Sequence, residues 1–282
     1  MEQFSNVSGH TLTLEKAFEL SKRIREVIQQ EDISGVVVTH GTAGLEEAAF
    51  MAELTVNTLK PVIFTGAMYN ASHQDTDGPR NLLNSIRVAA NEHARDMGVL
   101  VCLNNQILSA RDAVKTHSTQ LHTFSSYEHG ILGQVDPDER VIFYRRPLLR
   151  KTFNVNYIES NVDLIKAAIG MDDRFLRASI SERAKGIVIE SLPGTGSVTL
   201  GMMNGIKEAL SRDIYVVITS RCPQGRVIPV YGGGCGSKDV AELGCIMAGD
   251  LPSAKARVLL SVALAKCCDR DSLKKLFLAI AP

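Results

Sequence analysis

Apolar positions along the chain fall into two kinds of spacing, and each kind predicts an element. Over residues 14–30, Leu14, Ala17, Phe18, Ile24 and Ile28 recur at roughly helical spacing on a charged background, which predicts an amphipathic helix. Residues 33–39 are a short β-branched run centred on Val36, Val37 and Val38, ending in the small polar turn His40-Gly41-Thr42, so a strand followed by a loop is expected. A second helix is expected over residues 46–59, with Glu46 and Glu47 early in it, where carboxylates complement the helix dipole. A buried strand at residues 61–64, closed by Gly66, comes next. A helix over residues 77–91 has Pro79 in its first turn, where a missing amide costs nothing, and residues 99–103 read as a third strand.

Strands alternating with helices at this spacing imply βαβ units and a parallel sheet. In such sheets ligands bind beyond the carboxyl ends of the strands, so the loops after Val38, Phe64 and Leu103 are expected to share one rim. From residue 141 to about 183 the pattern weakens into a basic run (Arg145, Arg146, Arg150, Lys151) and a mixed polar stretch, read as a linker. A second α/β set follows: a strand at 186–189, the loop 193–197, a helix over about 198–210, a strand at 214–219, and helices at 253–265 and 272–278. The expected architecture is an α/β protein with domains at 1–150 and 184–282 and a linker at 151–183.

Composition narrows the function classes. Lysine plus arginine number 31 and the acidic residues number 31, so no overall field attracts phosphate backbones or anionic lipid, and nucleic acid is not an expected partner. The 45% hydrophobic and 22% charged content is that of a folding globular chain, not a disordered one. No apolar stretch reaches the roughly 18 residues of a membrane span, and the start lacks a basic-then-apolar signal pattern. No membrane association and a cytoplasmic location are therefore expected. Cys102, Cys222, Cys235, Cys245, Cys267 and Cys268 contain no CxxC pair and read as small buried hydrophobes in a reducing compartment. The histidines lack the i, i+4 spacing of a helical metal site, so no metal is expected.

Two stretches carry candidate chemistry. Thr39-His40-Gly41-Thr42 puts two hydroxyls, an imidazole and a flexible glycine at a strand's carboxyl end, before a helix whose amides can stabilise an oxyanion. Thr42 there reads either as a nucleophile with a nearby base or as a cap of the following helix. Arg111-Asp112-Ala113-Val114-Lys115-Thr116 brings charge to the same rim, and Lys115 reads either as a base for Thr42 or as a solvated lysine. The run Gly232-Gly233-Gly234-Cys235-Gly236 matches no phosphate-binding pattern and reads as a loop, whereas Gly194-Thr195-Gly196-Ser197, between strand and helix, is a plausible ligand contact.

Together the series THGTxxLEE (39–47), KPVIFTGAM (60–68), DGPRNLLNSIRVAA (77–90), RDAVKTHS (111–118), SRCPQG (220–225) and AGDLPSAKAR (248–257) resembles the bacterial-type asparaginase/glutaminase family, in order and in spacing through almost the whole chain. The resemblance implies a flavodoxin-like amino-terminal domain, a smaller α/β carboxyl-terminal domain, assembly as a homodimer or homotetramer, and hydrolysis of a small side-chain amide through a threonine without metal or cofactor. Residue by residue, Thr42 matches the threonine of the family's THGTD motif and Lys115 its paired lysine. Substrate contacts are expected at Ser8, Gly9, Thr39, Gly41, Ala43, Ala67, Met68 and Ser197. The departures are specific. Ala43 stands where the family has an aspartate that holds the substrate's α-ammonium group. Gly9 stands where the carboxylate-binding serine is expected, with Ser8 one position early, and Ser197 occupies a position that is often asparagine. The family's first strand, its GGTI threonine and its lid tyrosine have no counterpart in this sequence. An incomplete amino-terminal domain is thus expected, and a non-catalytic binding or assembly protein on the same scaffold stands as the alternative function.

Overall fold

A computed structural model describes residues 1–266 and 269–282 of the chain. Cys267 and Cys268 lie outside the described residues. The chain divides into two compact units, Met1–Asn154 and Val155–Pro282.

The first unit opens with α1 (Leu14–Ile28), whose amide at Lys16 is capped by the Thr13 hydroxyl and whose apolar stripe is buried as expected. Then come β1 (Val36–Thr39), α2 (Leu45–Thr55), β2 (Val62–Thr65), α3 (Gly78–Ala89) and β3 (Val99–Leu103). Helix α2 stops four residues short of its expected end, at Thr55, because Val56 is already extended on the way to the strand that begins after Pro61. The remaining strands of the unit are β4 (Gln106–Ser109), β5 (Val114–Lys115), β6 (Phe124–Ser125), β7 (Gly133–Val135) and β8 (Val141–Phe143). Six strands form one sheet in the order β1-β2-β3-β4-β7-β8. The β1-β2-β3 half is parallel, as the βαβ pattern requires, and the β4-β7-β8 half is antiparallel. Strands β2 and β3 are buried throughout, and β1, the end strand, is half-buried.

The second unit carries β9 (Val162–Lys166), α4 (Arg174–Ser181), β10 (Gly186–Ser191), α5 (Met203–Ser211), β11 (Tyr215–Ser220), α6 (Ser237–Leu243), β12 (Ile246–Met247), α7 (Ser253–Leu264) and α8 (Arg270–Ile280). Its four-stranded sheet, β12-β11-β10-β9, is parallel throughout. Ile187, Ile189, Val216 and Ile218 of the two central strands pack with Leu176, Ile206 and Val240 of the helices into one core.

The stretch read as a linker over 151–183 therefore holds β9 and α4. The signal was diluted because Asp163 and Lys166 interrupt the strand and charged residues surround the helix start. The basic run before it is part of the first unit. Arg145 donates to the carbonyls of Gly130 and Ile131, Arg146 to those of Arg95 and Asp96, and Arg150 pairs with Glu53 and Asp96. Arg145, Arg146 and Arg150 thus bond to carbonyls and carboxylates distant in sequence.

Candidate active site

The parallel half of the first unit's sheet sets the rim. Strand β1 ends at Thr39, and the next amide, His40, still donates to the Thr65 carbonyl at 2.8 Å, so the loops after β1 and β2 leave the sheet side by side. They approach closely at Gly66: a Cβ there would lie 2.4 Å from the His40 carbonyl oxygen and 3.3 Å from the Thr42 methyl. A third backbone segment meets the same loop at Gly9, whose Cβ would fall 3.3 Å from the Gly41 carbonyl oxygen. Gly9, Gly41, Thr42 and Gly66 are thus brought together from three segments.

Lys115 reaches this cluster from the other direction. It sits on β5, paired with Phe124 of β6, and its Nζ donates to Thr42 Oγ1 at 2.9 Å across 73 residues of sequence. Both residues are partly buried. Lys115 is hydrogen-bonded and not simply solvated, and the cap position of α2 is Gly44, without a side-chain hydrogen bond. The Lys115 amide donates at 2.5 Å to Glu46 Oε2, on the first turn of α2.

Electrostatics follow burial. His40 is held below the usual histidine range by desolvation, opposed by its bond to the Gly41 carbonyl. Its Nδ1 lies 2.7 Å from that oxygen, which can only accept, so Nδ1 carries the proton and Nε2 is left as the acceptor nitrogen. Tyr127, at φ 43°, has its phenol raised by burial and, after that, by the charge of Glu46. A non-glycine residue in that region of the backbone map costs on the order of 1–3 kcal/mol and persists where the surrounding structure holds it.

Ala67 and Met68 leave β2 on the same rim, held by a polar network that sequence reading missed. Asp77 accepts from the amides of Met68 and Tyr69, at 3.0 and 2.9 Å, and from Asn81 Nδ2 at 2.8 Å. Asn81 also donates to the Gly66 carbonyl and accepts from the Asn104 amide, both within 3.0 Å. The sequence pattern marks Asp77 only as a helix start, yet its side chain makes no capping bond to α3. The pattern marks Glu46 as a dipole complement, and no local signal announces a partner 69 residues away.

Of the other expected contacts, Thr39 and Ala43 are exposed on the loop around Thr42, and Ser8 is exposed beside Gly9, its carbonyl accepting from the Thr11 amide and hydroxyl. Ser197 lies in the second unit, where its carbonyl accepts from the Leu192 amide at 3.1 Å. Among the described residues no group of histidine, cysteine and acidic side chains could hold a metal ion. Burial pushes the Cys102 and Cys245 thiols up to about 12, fitting their reading as inert packing groups; Cys222 is exposed and Cys235 half-buried.

These features define an α/β protein whose ligand rim carries a hydroxyl–amine pair fed by two loops and a hairpin. Comparison with known proteins assigns the family. Residues 1–149 match the model for "Asparaginase, N-terminal" and residues 161–277 that for "Glutaminase/Asparaginase C-terminal domain". The L-asparaginase of Bacillus licheniformis is 35% identical over 254 residues, covering 90% of this chain and 78% of that protein. L-asparaginase 2 of Bacillus subtilis (strain 168) is 34% identical over 283 residues, covering 98% of this chain and 72% of the relative. A crystal structure of a probable cytoplasmic L-asparaginase from Campylobacter jejuni superimposes with a TM-score of 0.90 at 34% identity, over 98% of this chain and 87% of that one. The chain belongs to the asparaginase family, and its fold is that of an asparaginase-type amidohydrolase.

Proposed function

We propose that the chain hydrolyses the side-chain amide of asparagine, or of a related small amide, with Thr42 as nucleophile and Lys115 as its base. The observation that carries this is the 2.9 Å hydrogen bond between Lys115 Nζ and Thr42 Oγ1 at the carboxyl end of a parallel sheet. Lys115 accepts the Thr42 hydroxyl proton while Oγ1 attacks the amide carbon. It then returns that proton to the departing nitrogen, so ammonia leaves and a threonyl ester remains. Water hydrolyses the ester to the carboxylic acid and regenerates the hydroxyl. The His40 amide is taken by the Thr65 carbonyl, so the amides of Gly41 and Thr42 and of the α2 amino terminus are the donors proposed for the oxyanion. These steps draw on side chains, backbone and water, and no cofactor takes part.

Ammonia release from asparagine, glutamine and simple amides by the purified chain is the test. Thr42→Ala and Lys115→Met are each expected to lower the rate at least about 100-fold, the usual scale for losing a nucleophile's activation. Undiminished activity in Thr42→Ala overturns the assignment, and tight binding of asparagine or aspartate in calorimetry without turnover points to a binding protein instead.

Assembly into a homodimer or homotetramer belongs to the same proposal. It is supported by large aliphatic residues left exposed on the second unit, Ile169 at 92% in the segment after β9 and Leu200 at 71% at the start of a short 3-10 helix after β10. Light scattering on the eluting protein is expected to return two or four times the chain mass; a monomer at micromolar concentration would refute it. We also place the protein in the cytoplasm, as the name of the Campylobacter jejuni structure states for that protein; a Haemophilus influenzae relative, 34% identical, is named periplasmic. Among the described residues no helix is long and apolar enough to cross a membrane. Fractionation of cells making the native gene product tests the location.

A further inference from the structure

We propose that Glu46 is the positioning residue of the site, holding β5 at the distance at which Lys115 meets Thr42; the inference rests on the amidohydrolase reading above. Thr42 and Glu46 are four residues apart and belong to one rigid piece, because the chain enters α2 at Leu45 immediately after the 39–44 loop. Lys115 belongs to another, a two-stranded hairpin of minimal length: Val114 and Lys115 face Ser125 and Phe124. A pair of two-residue strands is too short to fix its own position, and β5 is paired with no strand of the six-stranded sheet. Within the hairpin the next rung is the Thr116 amide on the Thr123 carbonyl at 2.7 Å.

The Lys115 amide points away from β6, to Glu46 Oε2 at 2.5 Å. One residue therefore touches the nucleophile's segment twice: its backbone N–H meets Glu46, and its side-chain amine meets Thr42. The two contacts fix both ends of a flexible four-carbon stem relative to one helix start. An amide donating to a carboxylate is among the stronger protein hydrogen bonds. The charge of the same carboxylate also acts on Tyr127, in the segment following β6, whose phenol is raised first by burial and then by Glu46. Tyr127 holds its left-handed backbone there. Glu46 touches neither Thr42 Oγ1 nor Lys115 Nζ, so its action on the reaction runs through the placement of Lys115.

Displacement of a reacting group by about 1 Å costs up to about 100-fold in rate. Glu46→Ala is therefore expected to lower kcat by about 10- to 100-fold, with KM for the amide held within about twofold. Glu46→Gln keeps an oxygen acceptor for the Lys115 amide and is expected to recover most of that loss. Amide hydrogen exchange of the peptide containing residues 114–116 is followed in parallel, because it reads the Glu46 contact whether or not any amide is turned over. It is expected to speed up in Glu46→Ala and to return toward the native rate in Glu46→Gln. If the native chain turns over no amide, the functional reading fails while the exchange result still decides the positioning role. Native kcat in Glu46→Ala, equal loss in the Gln and Ala variants, or unchanged exchange at Lys115 overturns the inference.

Discussion

A side chain at position 66 would drive its Cβ to within 2.4 Å of the His40 carbonyl, so the glycine there is what allows the loops after β1 and β2 to lie in contact. The alanine at 43 acts oppositely, by what it omits. It is exposed, adjacent to Thr42, and presents a methyl group where the family resemblance puts a carboxylate for the substrate's α-ammonium. A charge-assisted hydrogen bond of that kind contributes roughly 1.5–3 kcal/mol, or one to two powers of ten in binding. Ala43→Asp is accordingly expected to lower KM for asparagine about 10- to 100-fold and to leave KM for an amide without an α-ammonium group unchanged. Steady-state kinetics on the two substrates checks this, and a parallel change on both would show that position 43 does not read that charge. At this scale the candidate pair was legible in sequence: Thr42 and Lys115 stand in motifs, and they meet. Glu46, Asp77 and Tyr127 were not, because their partners are chosen by the fold and not by neighbours in the chain.

Helix α2 shows what an element can hide. Nine of its eleven residues are buried, so it carries no amphipathic stripe, and the local sequence signal is the pair of early carboxylates, Glu46 and Glu47. It holds a carboxylate at each end. Glu46 takes the Lys115 amide at the first turn, and Glu53, near the last, takes the Val99 amide at 2.6 Å and Arg150 Nε at 3.3 Å. Burial, the largest influence, pushes Glu53 up to about 7 against the pull of the Val99 amide and Arg150; Asp112 adds to the rise. A carboxyl whose folded value lies above its unfolded one favours the fold while protonated, and that contribution is lost as pH climbs from about 4.5 through about 7. The loss is on the order of 3 kcal/mol. Glu53→Gln removes the titration while keeping an acceptor for Val99, so its thermal midpoint is expected to fall less between pH 5 and pH 8 than that of the native chain. Equal falls measured by thermal unfolding at the two pH values would place the sensitivity elsewhere. Strands β9 and β4 mark the limit of pattern reading among elements. The first alternates with charges, and the second is a four-residue antiparallel return opened by Gln106, so neither looks like the β-branched runs of β1 to β3.

For the whole molecule, the six motifs and the two family matches agree on a two-part α/β chain, and what the pattern left out was the antiparallel half of the first sheet and the true start of the second unit. The antiparallel strands after β3 are two to four residues long, and charges interrupt β9, so neither stretch carries an extended β-branched run. Long reach along the chain governs how the site comes into being. Its two defining contacts close loops of 73 and 69 residues, and the entropy of such closures must be met before either bond contributes anything. Helix α1, closed by contacts within one stretch of chain, can form early; the Thr42–Lys115 pair belongs with the last events of folding in its unit. A refolding chain therefore regains its helical content before it regains a competent nucleophile, and secondary structure alone is a poor clock for the recovery of function.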